Sequence, residues 1–197
     1  MKRGQLFKLT LTAMFCALII ALTFIPYTGY IVYGLLSITT IHVVVIIGAV
    51  ILGPWGGTIL GLVWGVTCLI YAAMNGTADA AIFLDPRISV LPRILVGLAA
   101  GWYYTGFHKL FSKWHKDGNS TLAAALTGLF GTLTNTVLVL SAISIFGTGV
   151  STLGSTLTTI LKTAFALNGV VETILAVVVV PAVSLPLFRI MKRYQQY

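Results

Sequence analysis

Apolar runs alternate with short polar, glycine-rich or basic stretches along the whole chain. A helix needs about 20 mainly apolar residues to cross the hydrocarbon core of a bilayer, and the runs are of that order. The pattern predicts six membrane-spanning helices, at residues 9–25, 35–52, 58–74, 88–107, 121–146 and 159–188. We therefore expect an all-α integral membrane protein, in which residues 1–197 form a single bundle of six transmembrane helices.

The composition agrees with this class. Hydrophobic residues make up 58% of the chain and charged residues 8%, which is typical of a membrane protein and not of a soluble core. The formal net charge of +8 would favour a nucleic-acid partner only if the basic residues formed one face. They cluster instead at the ends of the apolar runs, where lipid headgroups and membrane topology explain them.

The distribution of Lys and Arg predicts the orientation. An even number of spans places both termini on one side, and nine of the twelve basic residues then lie on that side. Because basic residues are enriched in cytoplasmic segments, we expect both termini in the cytoplasm and a multi-pass protein of the cell membrane.

Two charged residues lie deep inside apolar runs, Arg93 in the fourth span and Glu172 in the last. A charge in hydrocarbon costs at least about 2.5 kcal/mol, so such residues normally face the bundle interior and meet a carboxylate, backbone carbonyls or a ligand. With the termini in the cytoplasm, Arg93 lies in the outer half of the membrane and Glu172 lies near its middle. The pattern predicts a polar pocket that opens outward, and leaves open whether Arg93 binds a ligand or pairs with Glu172.

Three further polar residues are candidates for this pocket. Asn135 shares a helix face with two threonines; hydroxyls can bond to their own helix, so the amide is the better ligand group. Asn168 lies four residues before Glu172, on the same face. His42 falls within the second span, where a hydrogen-bonded core histidine is favoured over a ligand-binding one.

Small residues recur every four positions in two spans. The first stripe consists of Ala13, Ala17 and Ala21. Such a face lets a neighbouring backbone approach closely, and that neighbour can belong to this chain or to another. The second stripe consists of Gly57, Gly61 and Gly65, with Trp64 beside it. For this stripe, close packing against another helix is favoured over the alternative that the face forms one wall of a ligand pocket.

Two proline-containing positions predict irregular backbone. A tight turn is expected at residues 53–57, where Pro54 follows one glycine and two more come after it. Pro92 should kink the fourth span beside Arg93, because it removes a backbone donor one turn into the helix.

Motifs for self-sufficient chemistry are missing from the sequence. It contains no G-x-x-x-x-G-K-[ST], H-E-x-x-H or G-x-S-x-G. Cys16 and Cys68 lack the spacing of a metal or redox site, so no cofactor is expected. A binding subunit is therefore favoured over two alternatives: an autonomous small transporter, which would move substrate without ATPases, and a membrane enzyme, which would form a product.

Five segments carry a family resemblance. They are Ala13-x-x-x-Ala17, GAVILGPWGG at 48–57, DPRISVLPR at 85–93, GTLTNTV at 131–137 and NGVVE at 168–172. Together, and in this order, they resemble the substrate-binding S components of energy-coupling factor (ECF) transporters. The chain is most similar to the pantothenate type, followed by the pyridoxine and folate types.

The resemblance implies a vitamin-binding subunit that is not an enzyme. Members bind their vitamin in an outward-facing pocket under three loops, which correspond here to residues 26–34, 75–86 and 147–155. It further implies that Ala13 and Ala17, extended by Ala21, dock onto a transmembrane coupling subunit driven by two ABC ATPases. The loaded S component is thought to topple in the bilayer during transport.

For pantothenate, the chemistry of the vitamin suggests a role for each candidate. Arg93 would clamp the carboxylate bidentately, and Asn135 and Asn168 would bind the hydroxyls and the amide. Trp64 would form an apolar wall, Glu172 would accept a hydroxyl proton or hold Arg93, and His42 would be a further polar contact. If Glu172 neutralises Arg93, a neutral vitamin such as pyridoxine fits better.

Overall fold

The computed structural model describes residues 3–33, 36–75, 80–112, 120–146 and 154–195 of the chain. These residues are helical, as predicted, apart from one short hairpin. The helices are α1 Arg3–Phe24, α2 Ile41–Asn75, α3 Ala80–Phe83, α4 Pro86–Ser89, α5 Leu91–Ser112, α6 Ser120–Phe146 and α7 Gly154–Gln195, and the strands are β1 Tyr30–Tyr33 and β2 Leu36–Thr39.

The hairpin lies between α1 and α2. Its strands are antiparallel, and their register pairs Tyr30 with Thr39 and Tyr33 with Leu36. The predicted start of the second span at residue 35 is therefore wrong, because α2 begins at Ile41. β-branched and aromatic residues favour strands, but here they run directly into the apolar helix, so hydrophobicity alone hides the boundary.

Four helices are long and apolar enough to cross a membrane: Gly4–Phe24, Ile41–Asn75, Ser120–Phe146 and Asn168–Met191. The sequence predicted six spans, and two features account for the difference. The second and third predicted spans belong to the single helix α2, and α5, which holds the fourth, is made more polar by Arg93, His108 and Lys109.

α2 changes direction at Gly53, the only residue inside it with non-helical backbone angles (φ 82°, ψ −176°). Glycine adopts positive φ without the penalty that a Cβ imposes. Pro54 follows at the first helical position of the second half, where a missing N–H costs nothing. The turn predicted at 53–57 is thus present, but it is confined to one residue.

The glycine stripe forms a close-packed seam between the second half of α2 and α5. A Cβ on Gly57 would collide with the carbonyl of Gly97, and one on Gly61 with the carbonyl of Arg93. A Cβ on Gly65 would lie 2.7 Å from the Cα of Val90. The packing interpretation of this stripe is confirmed, and the seam fixes the backbone of Arg93 against α2.

Pro92 does not kink a continuous helix, so the prediction of a kink there is wrong. α5 begins at Leu91, and in the first turn of a helix the proline removes no intrahelical bond. The preceding α4 is a separate short helix, capped by Asp85, whose side chain accepts the N–H of Arg87 at 2.8 Å. α7 continues through Pro181 and Pro186.

Two apolar clusters hold the described part together. In the larger one, Leu11, Phe15 and Ile19 of α1 pack with both halves of α2 and with α7. In the smaller one, α3 and α4 lie on the second half of α6, through Ile82 and Ile88. The short helices α3 and α4, which directly precede Arg93 in the chain, are therefore packed against α6.

Replacing Gly61 with Ala should destabilise the protein by about 1–3 kcal/mol, because the added methyl group presses on the Arg93 carbonyl across the seam. Thermal unfolding in detergent would measure this. The matched control is Gly106→Ala in α5, where an added Cβ meets nothing within 4 Å and helix propensity improves. Equal melting temperatures for the two variants would contradict the seam.

Candidate functional site

The guanidinium of Arg93 is buried, with 5% of the residue exposed. Its Nη1 donates to the carbonyl of Ile88 at 2.6 Å, and its Nη2 lies 3.9 Å from Sγ of Cys68. The guanidinium carbon is 5.2 Å from the ring centroids of both Trp64 and Phe83. A carbonyl and two aromatic faces thus stabilise the charge, and Nε has no hydrogen-bond partner in the described part of the chain.

Glu172 is hydrogen-bonded to Thr39, and not to Arg93, the partner that the sequence suggested. Its Oε1 accepts the backbone N–H of Thr39 at 2.7 Å, and the residue is as buried as Arg93. Among the residues that the structure describes, the guanidinium of Arg93 donates to Ile88 and not to this carboxyl group. The bridge that the sequence left open is not formed, and Glu172 instead connects α7 to the hairpin.

His42 is completely buried near the start of α2. Its ring lies beside the backbone of Thr39 and Glu172, yet neither ring nitrogen has a hydrogen-bonded partner within the described ranges. The expectation of a core histidine is met in its burial, and the Thr39 and Glu172 backbones lie within reach of the ring, without a hydrogen bond of good geometry. It offers one donor and one acceptor when neutral.

Trp64 and Tyr30 bring two further polar atoms to the region of Arg93. Trp64 has no exposed surface, and neither its Nε1 nor the hydroxyl of Tyr30 has a hydrogen-bond partner in the described segments. The Tyr30 ring stacks on Tyr71, with 4.9 Å between centroids. From the sequence, Tyr30 is included only in the predicted pocket loop of residues 26–34, although its place in a β-branched and aromatic stretch is the signal for a strand.

Asn135 and Asn168 are both buried, in α6 and α7. Oδ1 of Asn135 is without a hydrogen-bond partner in the described part. Thr136 bonds back to the carbonyl of Thr132 at 3.2 Å, as expected for a helical threonine. The Thr136 side chain faces Gly169, where an added Cβ would lie 2.9 Å from its Oγ1. This contact brings the Asn135 face of α6 to the Asn168 end of α7.

The structure thus groups the predicted residues around the hairpin. Arg93 and Trp64 lie near Tyr30, and His42 and Glu172 lie near Thr39. The charges of Arg93 and Glu172 are within electrostatic range of each other, and Asn135 belongs to the neighbouring α6–α7 interface. Such an arrangement offers buried donors and acceptors without a metal centre: no three His, Cys, Asp or Glu residues come together among those described. Of the three predicted pocket loops, residues 34, 76–79 and 147–153 lie outside the described ranges.

Comparisons with known proteins identify the family. The model of the family described as "ECF transporter, substrate-specific component" matches residues 7–184. The chain belongs to this family. The resemblance inferred from the five sequence segments is confirmed, and the protein is a multi-pass membrane protein.

Two curated relatives of this ECF component carry names that state a substrate. The Pantothenic acid transporter PanT of Lactococcus lactis is 35% identical over 159 residues, which cover 74% of each chain. The Pantothenate transporter PanT of Leuconostoc mesenteroides is 34% identical over 137 residues, which cover 66% of this chain and 64% of the relative. Both names denote transporters, which favours transport over catalysis.

The alanine stripe of the ECF component is exposed. Ala13, Ala17 and Ala21 lie on the outer side of α1, while Phe15 and Ile19 face the core. The stripe therefore does not serve close packing between helices of the described chain, which was one of the two interpretations of its spacing.

Replacing Glu172 with Ala should lower stability by about 1–3 kcal/mol, because the N–H of Thr39 would lose its acceptor in a buried place. The melting temperature in detergent is the measurement. Thr173→Ala is the matched control on the same helix: its hydroxyl donates only to the carbonyl of Gly169, and its loss should cost under about 1 kcal/mol. Equal effects would show that the Thr39 contact contributes little.

Proposed function

We propose that the chain is the vitamin-binding S component of an ECF-type ABC importer, and that its vitamin is pantothenate. One observation carries the choice of an acidic vitamin: the buried Arg93 guanidinium keeps a positive charge with no carboxylate partner among the described residues. The names of the two relatives support pantothenate among the acidic vitamins.

Pantothenate has a carboxylate, two hydroxyls, an amide and an apolar gem-dimethyl group. The carboxylate pairs with Arg93, since charge-assisted bonds to a guanidinium are the strongest available. Trp64 closes the pocket beside the apolar part of the vitamin. The hydroxyls and the amide are bound by the buried polar groups of His42, Asn135 and Asn168, and Glu172 holds the hairpin beside them through the N–H of Thr39.

Six membrane crossings are part of this proposal, and the helix lengths are compatible with them. A straight helix of 35 residues would be about 52 Å long, well over the roughly 30 Å of hydrocarbon. The half of α2 after Gly53 is about 33 Å long and crosses once, whereas the part from Ile41 to Leu52 rises only about 18 Å and crosses together with the hairpin that precedes it. α5 adds a crossing in which Arg93 faces the bundle interior. The positive-inside rule then places both termini of this single domain in the cytoplasm.

Turnover depends on other subunits. The exposed stripe of Ala13, Ala17 and Ala21 docks onto a transmembrane coupling subunit, because small side chains permit close helix contact. Two ABC ATPases supply the energy, in keeping with the missing P-loop motif. The loaded subunit topples so that its pocket faces the cytoplasm.

The purified chain, alone in detergent, should bind pantothenate saturably in a calorimetric titration, and pyridoxine, folate, riboflavin and biotin much more weakly. Replacing Arg93 with Ala should weaken pantothenate binding by at least about 30-fold, because truncating one member of a buried charge pair costs 2 kcal/mol or more. Arg87→Ala is the matched control, since that guanidinium is exposed and lies over the ring of Phe146.

Tight binding of a different vitamin would replace pantothenate but keep the S-component function. If the folded protein binds none of the five vitamins but transports substrate into liposomes without ATPases, an autonomous transporter is favoured. A folded Arg93→Ala variant that binds pantothenate normally would make this arginine structural.

Replacing Ala17 with Trp should prevent co-purification with the coupling subunit and leave pantothenate affinity unchanged, because the indole fills only the outer face of α1. Ala13→Trp should act in the same way. Ala73→Trp is the control, an equal substitution at an exposed alanine near the end of α2. Undiminished recovery of the complex with the Ala17 variant would remove this stripe from the interface.

A further inference from the structure

We infer that the hydroxyl of Tyr30 joins Arg93 Nε and Trp64 Nε1 in one set of donors for the ligand's carboxylate, and that Glu172 positions this hydroxyl through the hairpin. The inference rests on the proposed function, because it concerns how the same pocket recognises an acid. It assigns a binding role to Tyr30, and a positioning role to Glu172.

One face of α2 brings the three donors together. Trp64, Cys68 and Tyr71 follow each other at spacings of four and three, and therefore share that face. The guanidinium of Arg93 lies over Trp64 and reaches Cys68. The ring of Tyr30 stacks on Tyr71, one helical turn further along. α5 and the hairpin thus contribute side chains to the same short stretch of helix.

The three donor atoms share an unusual property. Arg93 Nε, Trp64 Nε1 and the Tyr30 hydroxyl are all buried, and none makes a hydrogen bond of good geometry to the described residues, although the Tyr30 hydroxyl lies next to Trp64 and Cys68. Buried polar groups are almost always paired, because each unpaired one is costly. Three such atoms within one region indicate a ligand that supplies acceptors.

The chemistry of the three donor atoms favours a ligand with a carboxylate. The nitrogens of Arg93 and Trp64 can only donate, and an ionised carboxylate can only accept. Burial raises the pKa of Tyr30 well above its ordinary value and Cys68 acts in the same direction, which outweighs the opposite effects of the Arg93 charge and of Trp64. The hydroxyl therefore keeps its proton at neutral pH and acts as the third donor. An alcohol in place of the acid would carry no charge to match Arg93.

Glu172 determines where the Tyr30 hydroxyl lies. In the hairpin Tyr30 is the cross-strand partner of Thr39, and the N–H of Thr39 donates to Glu172. The base of the hairpin is further tied by the N–H of Thr40, which donates to the carbonyl of Gly29 at 3.0 Å. A carboxyl group on α7 thereby holds the strand pair that presents Tyr30 to α2.

The test compares two ligands, pantothenate and pantothenol, in which a primary alcohol replaces the carboxylate. Titrations on the full-length purified chain should show that Tyr30→Phe weakens pantothenate binding by about 10- to 100-fold, as expected for a bond to a charged group. Pantothenol binding should change by less than about twofold, because it lacks the carboxylate. Tyr104→Phe is the matched control, since that ring lies about three turns along α5 from Arg93 and stacks on Phe188, and both affinities should stay the same.

A second pair of variants tests the positioning role. Glu172→Ala should reduce the preference for pantothenate over pantothenol, whereas Glu172→Gln should restore most of it, because the amide oxygen still accepts the N–H of Thr39. In the Tyr30→Phe background, Glu172→Ala should lower this preference no further, since the two residues act through one contact. A bond from Glu172 to a ligand hydroxyl would instead change both affinities equally.

Several outcomes overturn the inference. Equal losses for both ligands in Tyr30→Phe, or unchanged pantothenate binding, would remove Tyr30 from the donor set. Independent effects of the Tyr30 and Glu172 variants on the preference would remove the positioning role. Wild-type protein that binds both ligands equally would overturn the donor set and leave the vitamin assignment intact. Wild-type protein that binds neither would overturn the assignment and the inference together.

Discussion

The buried guanidinium of Arg93 is the constraint on which the centre of this protein depends. Arginine keeps its charge in any protein environment, so the surrounding chain must supply acceptors. The carbonyl of Ile88 is available because α4 ends before α5 begins, and the rings of Trp64 and Phe83 cover the guanidinium. The break between α4 and α5 leaves the carbonyl of Ile88 free to accept a hydrogen bond from Arg93. It thereby stabilises a charge within an apolar bundle.

The glycine seam gives this charge a fixed location. Close contact of Gly57 and Gly61 with the backbone of α5 leaves no room for α5 to slide along α2. The Arg93 carbonyl lies in that contact, so the start of its side chain is held as firmly as the helices themselves. The backbone at Arg93 therefore has little freedom to shift, because close-packed interfaces deform little.

The hairpin connects side chains of two helices, α2 and α7. It places Tyr30 against α2 and Thr39 against α7, and the register of the two strands makes these contacts interdependent. Glu172 accepts a backbone N–H and the guanidinium of Arg93 donates to a carbonyl, so each of these two deep charges is hydrogen-bonded to the backbone.

The sequence by itself determined the membrane class, the buried charges and the seam, because apolar runs, an arginine between leucines and valines, and glycines at spacing four have a meaning that does not depend on distant residues. It also carried the family resemblance. Tertiary structure alone decided that Glu172 bonds to Thr39, 133 residues away, and that Tyr30 reaches the Arg93 region. Hydrogen-bond partners depend on which backbones become neighbours, and the strand preference of the hairpin was hidden in a continuous apolar run.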